Sequence, residues 1–112
     1  MTTNWDALPD NIKTFMTAVD AREADRVVAT LTTDAVVTDE GHDYSGHEDI
    51  ATWVSTAASE YTYTTEITGA TTTDAGVDVG QHLEGNFPGG VADLHYRFTL
   101  DGALISRVVI EP

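Results

Sequence analysis

The chain has 112 residues, 41% of them apolar, with 19 Asp and Glu against 5 Lys and Arg and no cysteine. That is the size of one ordinary domain, residues 1–112, able to bury one core; disulfides, thiolate nucleophiles and cysteine metal ligands are excluded. A net charge of −14 with no two basic residues adjacent repels phosphate backbones and anionic lipid, so neither nucleic acid nor a membrane is an expected partner.

The opening residues MTTNWDALPD lack the basic and apolar regions of a secretion signal, and the expected location is the cytoplasm. Three segments then carry apolar residues at helical spacing: Ile12, Phe15, Met16 and Val19; Ala24, Val27, Val28 and Leu31; and Ile50, Trp53, Val54 and Ala57. Pro9 suits the first turn of the first helix, and Ser45 with Glu48 three positions on predicts a capping box opening the third. Between the second and third helices the residues DAVVTDEG predict a strand over 35–39. From Tyr61 onward the apolar period is two and threonine is abundant, which predicts strands over 61–73, 77–86, 91–100 and 103–110, divided by turns at Asp74-Ala75-Gly76, Phe87-Pro88-Gly89-Gly90 and Asp101-Gly102. The order ααβ(β)αββββ predicts an α+β domain, with helices on one face of a curved antiparallel sheet of five or six strands.

Asp39 and Glu40 end the first strand, and adjacent strand residues point to opposite faces. Ala35 and Val37 share the phase of Asp39, which turns Asp39 inward. A strand-end acid against an apolar interior has its charged form disfavoured and its pKa raised toward general-base values; facing water, it is an ordinary solvated carboxylate. Arg107 is in phase with Ile105 and Val109, so it is expected on the inner face. There it would hold Asp39, orient a ligand's anionic or carbonyl group, or reach the rim.

A tight Pro88-Gly89 turn would set Leu83 opposite Leu94, Glu84 opposite Asp93 and His82 opposite His95. Leu83, Leu94, Tyr96 and Phe98 would then face the helices. His82, Glu84, Asp93, His95 and Arg97 would form the other face, either a polar outer surface or, as a weaker alternative, a metal site built from His82, Glu84, Asp93 and His95. His42 and His47 could line a pocket mouth, with His47 more simply a helix-end residue. Trp53, Tyr61, Tyr63, Tyr96 and Phe98 are core or pocket aromatics. The sequence has no nucleophile elbow, phosphate loop or dinucleotide fingerprint, and no cofactor is implied.

Taken together, the helical hairpin, the strand DAVVTDEG, the YSGHEDI turn into the third helix and the closing DGALISRVVI resemble the NTF2-like superfamily, in particular its SnoaL-like and ketosteroid-isomerase-like branch. The resemblance spans nearly the whole chain. It implies a conical pocket for a small, largely apolar organic molecule, with Phe15, Trp53, Tyr63, Leu94, Tyr96 and Phe98 as its walls, and a homodimer formed through the outer sheet face. It also implies functions ranging from isomerisation and cyclisation to binding without catalysis, so fold alone leaves function open. The general-base position of ketosteroid isomerases falls on Asp39, whereas their oxyanion-donor positions fall on Phe15 and Leu94, which cannot donate. Steroid isomerisation is therefore disfavoured. A proton-transfer enzyme with Asp39 as base and Arg107 as orienter, and a non-catalytic ligand-binding or dimeric interaction module, both remain.

Overall fold

A computed structural model describes residues 5–56, 62–73 and 76–112. A short 3-10 turn, Trp5–Ala7, leads into α1 (Asp10–Asp20) and α2 (Ala24–Val28). A hairpin of β1 (Leu31–Asp39) and β2 (His42–Ser45) then runs into α3 (Gly46–Ser55), and β3 (Tyr63–Thr73), β4 (Gly76–Gly85), β5 (Val91–Asp101) and β6 (Leu104–Glu111) complete the chain. Ala57, Tyr61 and the Asp74-Ala75 part of the third turn lie outside the described residues.

The stripe Ile12, Phe15, Met16 and Val19 is buried as its spacing predicts, with Ala18 beside it. Pro9 is the residue at which the helix starts, and its carbonyl accepts the amides of Ile12 and Lys13 at 3.1 Å. The second helix is shorter than its periodicity suggested and stops at Val28, so Leu31 opens a strand instead. Thr30 makes the transition: its hydroxyl donates back to the Val27 carbonyl at 2.6 Å, while its own carbonyl accepts the Ile105 amide at 2.8 Å. The β-branched run that follows then favours the extended chain. Ser45 caps α3 by position but makes no side-chain cap bond, so the expected capping box does not form. His47 anchors that end of the helix instead. Its Nε2 lies 3.2 and 3.0 Å from the Leu31 and Thr32 carbonyls, which can only accept, so that nitrogen carries the proton.

The sheet has six strands in the order β2-β1-β6-β5-β4-β3. It is mixed rather than wholly antiparallel, because β1 and β6 run parallel. These two strands are not joined by a hairpin; β2, α3 and β3 to β5 intervene, so nothing forces them antiparallel. At the turn after β4 the register is two residues wider than a tight Pro-Gly turn would give: Gln81 pairs with Leu94, His82 with Asp93 and Leu83 with Ala92. The Gly90 amide donates to the Phe87 carbonyl, and the Gly85 amide to the Gly90 carbonyl, both at 2.9 Å, which leaves residues 86–89 outside the ladder. Gly89 and Gly90 supply the positive φ values, 89° and 74°, that this turn needs. A shift of two preserves the alternation, so each side chain keeps its expected face.

The helices cover the inner face. Phe15 meets Phe98 edge to face with ring centroids 5.4 Å apart, and both are buried with Ile12, Val37, Trp53, Ile105 and Val108. Among the described residues, no helix is long and apolar enough to cross a membrane.

Candidate functional site

Along β1, Ala35 and Val37 are fully buried, and the alternation carries Asp39 to the same side. Glu40 leaves the strand with a φ of 53°. Asp39 is half-buried in the wall of a cavity of about 600 Å³, together with Trp53, Tyr63, Leu83, Leu94, Tyr96 and Ile110. The exposed members of the lining, Glu40, Gly41, Pro88, Val91 and Pro112, mark its open side.

Trp53 projects from α3 with only 2% of its surface exposed, and its indole N–H donates to Asp39 Oδ2 at 3.0 Å. The Tyr44 ring leans on that indole at 6.1 Å. Burial pushes the Asp39 carboxyl above its usual range; the indole bond opposes the push, and the neighbouring Glu40 charge adds to it. The cavity walls thus hold a carboxyl that accepts the Trp53 indole and, more weakly, the Glu40 backbone, in an environment that on balance favours taking up a proton.

Two phenols share the wall. Burial raises the Tyr63 pKa, with the Asp20 charge assisting. Tyr96 is raised much further by its near-complete burial, with smaller contributions from Tyr63, Asp39 and Asp20, so it is a neutral hydroxyl at any physiological pH. Its side chain lines the cavity, and its hydroxyl is not among the buried side-chain atoms left without a partner. Asp20, the last residue of α1, accepts the Thr65 hydroxyl at 2.9 Å and is also raised by local burial, although the residue as a whole is exposed.

Of the residues expected at the site, Asp39, Trp53, Tyr63, Leu94 and Tyr96 come together around the cavity. Phe15 and Phe98 do not line it; they form the packed core. Arg107 is not on the inner face. Between Thr99 and Leu100 of β5 the pairing to β6 slips, leaving Ser106 as an extra residue, and beyond it Val108 and Ile110 point inward. Arg107 is exposed on the outer side, where its guanidinium donates to the Thr38 hydroxyl at 3.1 Å, and that hydroxyl in turn donates to Asp43 Oδ1 at 2.6 Å. It therefore neither holds Asp39 nor reaches a ligand in the cavity.

The alternative metal site is divided in the same way. The wider hairpin register sets His82 opposite Asp93, with Nδ1 and Oδ1 2.6 Å apart, while His95 bonds Asp78 at 2.9 Å and Asp78 holds Arg97 at 3.3 Å. Glu84 is 3.7 Å from His82. Among the described residues no group of three or more His, Asp or Glu is placed to hold a metal ion. His42 pairs with Asp39 across the β1–β2 ladder but is exposed and outside the lining. Several wall residues escaped sequence reasoning, Ile110 and the aromatic Phe87 among them. Phe87 lines the cavity with its ring edge-on to Tyr63 at 6.4 Å; read only as a turn residue, it gave one signal, an aromatic directly before a Pro-Gly-Gly turn.

No family model matches the sequence, and no functionally curated protein does. Similarity in structure is extensive. A presumptive polyketide cyclase from Sinorhizobium meliloti is 29% identical, with a TM-score of 0.88 over 97% of this chain and all of that one. A protein from Catenulispora acidiphila with a ketosteroid-isomerase-like fold, solved with trimethylamine, is 15% identical, with a TM-score of 0.80 over 93% of this chain and 85% of its own. An NTF2-like protein from Cytophaga hutchinsonii is 11% identical, with a TM-score of 0.72 over 91% of this chain and 86% of its own. The fold is NTF2-like. In an NTF2-like cone the inner sheet face and the helices enclose the space in which Asp39 and Tyr96 stand, and the outer face carries the paired charges.

Proposed function

We propose that this chain is a cytoplasmic, homodimeric protein of the SnoaL-like and ketosteroid-isomerase-like branch whose cone takes up a small, largely apolar organic molecule and moves a proton next to a carbonyl, with Asp39 as base. The observation that carries this reading is the Asp39 carboxyl itself. It stands in the wall of a cavity of about 600 Å³, within the usual range for small-ligand pockets. It is pushed toward neutrality by burial and bonded by one indole N–H. A base must be able to accept a proton near working pH, and desolvation tunes a carboxylate in that direction. Aromatic and aliphatic walls suit an apolar ligand body. The similarity to a presumptive polyketide cyclase, and the small organic molecule held by a ketosteroid-isomerase-like neighbour, point the same way.

The ketosteroid reaction proper remains disfavoured, because Phe15 is core and Leu94 is an apolar wall. A thermal-shift screen of uncharged carbonyl compounds, followed by turnover of each hit with wild type and Asp39→Asn, tests the proposal. Stabilisation by a hit with turnover lost in the variant supports it. Turnover unchanged in Asp39→Asn removes Asp39 from the mechanism, and hits with no turnover in either protein leave the binding-module reading standing.

A further inference from the structure

The cavity in whose wall Asp39 stands is lined by rings from four parts of the chain: Trp53 from α3, Tyr63 from β3, Phe87 from the β4–β5 turn and Tyr96 from β5. Tyr63 and Phe87 stand at 79° to each other with centroids 6.4 Å apart, and so form a corner. Asp39 pairs with Ile110 across β1 and β6, and Ile110 with Tyr96 across β6 and β5. With strands about 4.8 Å apart, the carboxyl and the Tyr96 ring rise from backbones roughly 10 Å apart. The Asp39 charge acts on both phenols, which sets the three groups around one space.

The charge of this space is one-sided. Asp39, Glu40 and Glu111 line it, and among the described residues the lining contains no Lys, Arg or His. The basic side chains are engaged elsewhere: Arg97 with Asp78 and Glu111, Arg107 with Thr38, Arg26 with Glu23 and Lys13 with Asp10. Arg22, just beyond α1, acts on Tyr63 without lining the cavity. A buried carboxylate with no cation beside it is costly, and the Trp53 indole offsets only part of that cost at Asp39. The counter-charge is something a ligand can bring. Ring faces attract a cation through their quadrupole, most strongly where water is excluded. Walls that oppose a lone carboxylate therefore favour a cation with an apolar body. A bare metal ion is a poorer fit, since among the described residues no three His, Asp or Glu are grouped to hold one.

We propose that the cavity is a receptor for an apolar ammonium ion, its charged head seated between the Asp39 carboxylate and the aromatic walls and its hydrocarbon body filling the remaining space. This goes beyond the proton-transfer reading, because it needs the charge of Asp39 and no reaction. An ammonium seated there blocks the carboxylate, so it competes with any uncharged ligand of the cavity. Binding is also tied to protons. The cation favours ionised Asp39, so affinity rises with pH until the raised value of the free protein is passed and then levels off. The titratable groups that act on Asp39 or share its space are Glu40, His42 on β2, Tyr63 and Tyr96, with Glu111 already paired to Arg97.

The test compares 3-hydroxyphenyltrimethylammonium with its uncharged isostere 3-tert-butylphenol and with the anion 4-tert-butylbenzoate. Calorimetry at pH 8 should show the cation about tenfold tighter than the isostere, as cation–π attraction in a partly dry site implies, with the anion weakest. Lowering the pH should weaken the cation and leave the isostere unchanged. In Asp39→Asn the cation should lose most of its advantage and all of its pH dependence, whereas His42→Gln should keep both. Asp39→Asn removes one of 19 acidic groups, so attraction to the surface as a whole would scarcely register it. Should that variant not fold, wild type alone decides: at mildly acidic pH the heat of binding should differ between buffers of different ionisation enthalpy, as proton release requires, and the N-methyl proton resonance should move upfield in the ring currents of the walls. An isostere as tight as the cation, an affinity indifferent to pH, a pH dependence that survives Asp39→Asn, or an unmoved N-methyl resonance overturns the inference and leaves the proton-transfer reading intact. Tighter binding of the anion overturns the ligand class, and failure of all three probes to bind overturns both readings.

Discussion

The two faces of the β4–β5 hairpin are built from the same strands, the outer one far richer in polar groups than the inner, and they treat those groups oppositely. On the outer face His82 has Asp93, His95 has Asp78, and Arg97 has both Asp78 and Glu111. On the inner face the Gln81 side-chain oxygen is buried without a partner, and Asp39 across the sheet has the Trp53 indole as its side-chain donor. Outer charges compensate one another in solvent. The buried Gln81 oxygen and the charged form of Asp39 oppose folding. Polarity that a fold does not need for stability is the better guide to where it works.

The largest expected effect follows directly. If the inner face is functional, Asp39→Asn should reduce turnover of an identified substrate by about 10²–10⁴-fold, the usual contribution of a general base. The same substitution should stabilise the protein at pH 7. A carboxyl whose pKa is raised on folding binds more protons folded than unfolded, so wild-type stability falls as pH rises from the ordinary Asp value through the raised one. Urea unfolding at pH 4 and pH 7 checks this, and an advantage for the variant that is no larger at pH 7 than at pH 4 breaks the claim.

Trp53→Phe sharpens the same point at a smaller scale. Without the indole donor, the charged form of Asp39 loses the interaction that lowers its pKa, so the acid limb of the pH–rate profile should move to higher pH. Stability should fall by about 1–2 kcal/mol through the lost hydrogen bond and partial loss of a buried ring. An unmoved acid limb would mean that the indole packs against Asp39 without tuning it.

How much of this the residues disclosed in advance depended on whether local alternation survived to the position in question. Asp39 was placed correctly because Ala35, Val37 and Asp39 run without interruption on one strand. The faces of β4 and β5 were placed correctly even though the hairpin register was not, because an error of two residues conserves parity. Arg107 was misplaced because a single extra residue, Ser106, reverses the phase after Ile105, and nothing in ALISRVVI announces a bulge. The Trp53–Asp39 bond joins a helix to a strand 14 residues away. It depends on packing between elements, which periodicity does not encode. The NTF2-like resemblance supplied the cone, but not the donor within it.

The smallest effects belong to the outer face. Arg97→Gln should cost no more than about 1 kcal/mol, because half-exposed ion pairs contribute little and are screened by salt. His82 offers the finer contrast. Its hydrogen bond with Asp93 raises its pKa, with Glu84 adding to the effect. For a base held up in this way, the stabilisation is fully present below its ordinary value of about 6.5 and is lost as pH rises through the higher folded value. The melting temperature should therefore carry a His82 component that declines as pH rises above about 6.5 and disappears in His82→Gln, while affinity for any cavity ligand stays the same. Sedimentation of the same variant examines the proposed homodimer, which would use this face. A variant that alters ligand affinity while remaining unchanged in its assembly state would show the two faces to be energetically coupled, and the division of labour between them would have to be abandoned.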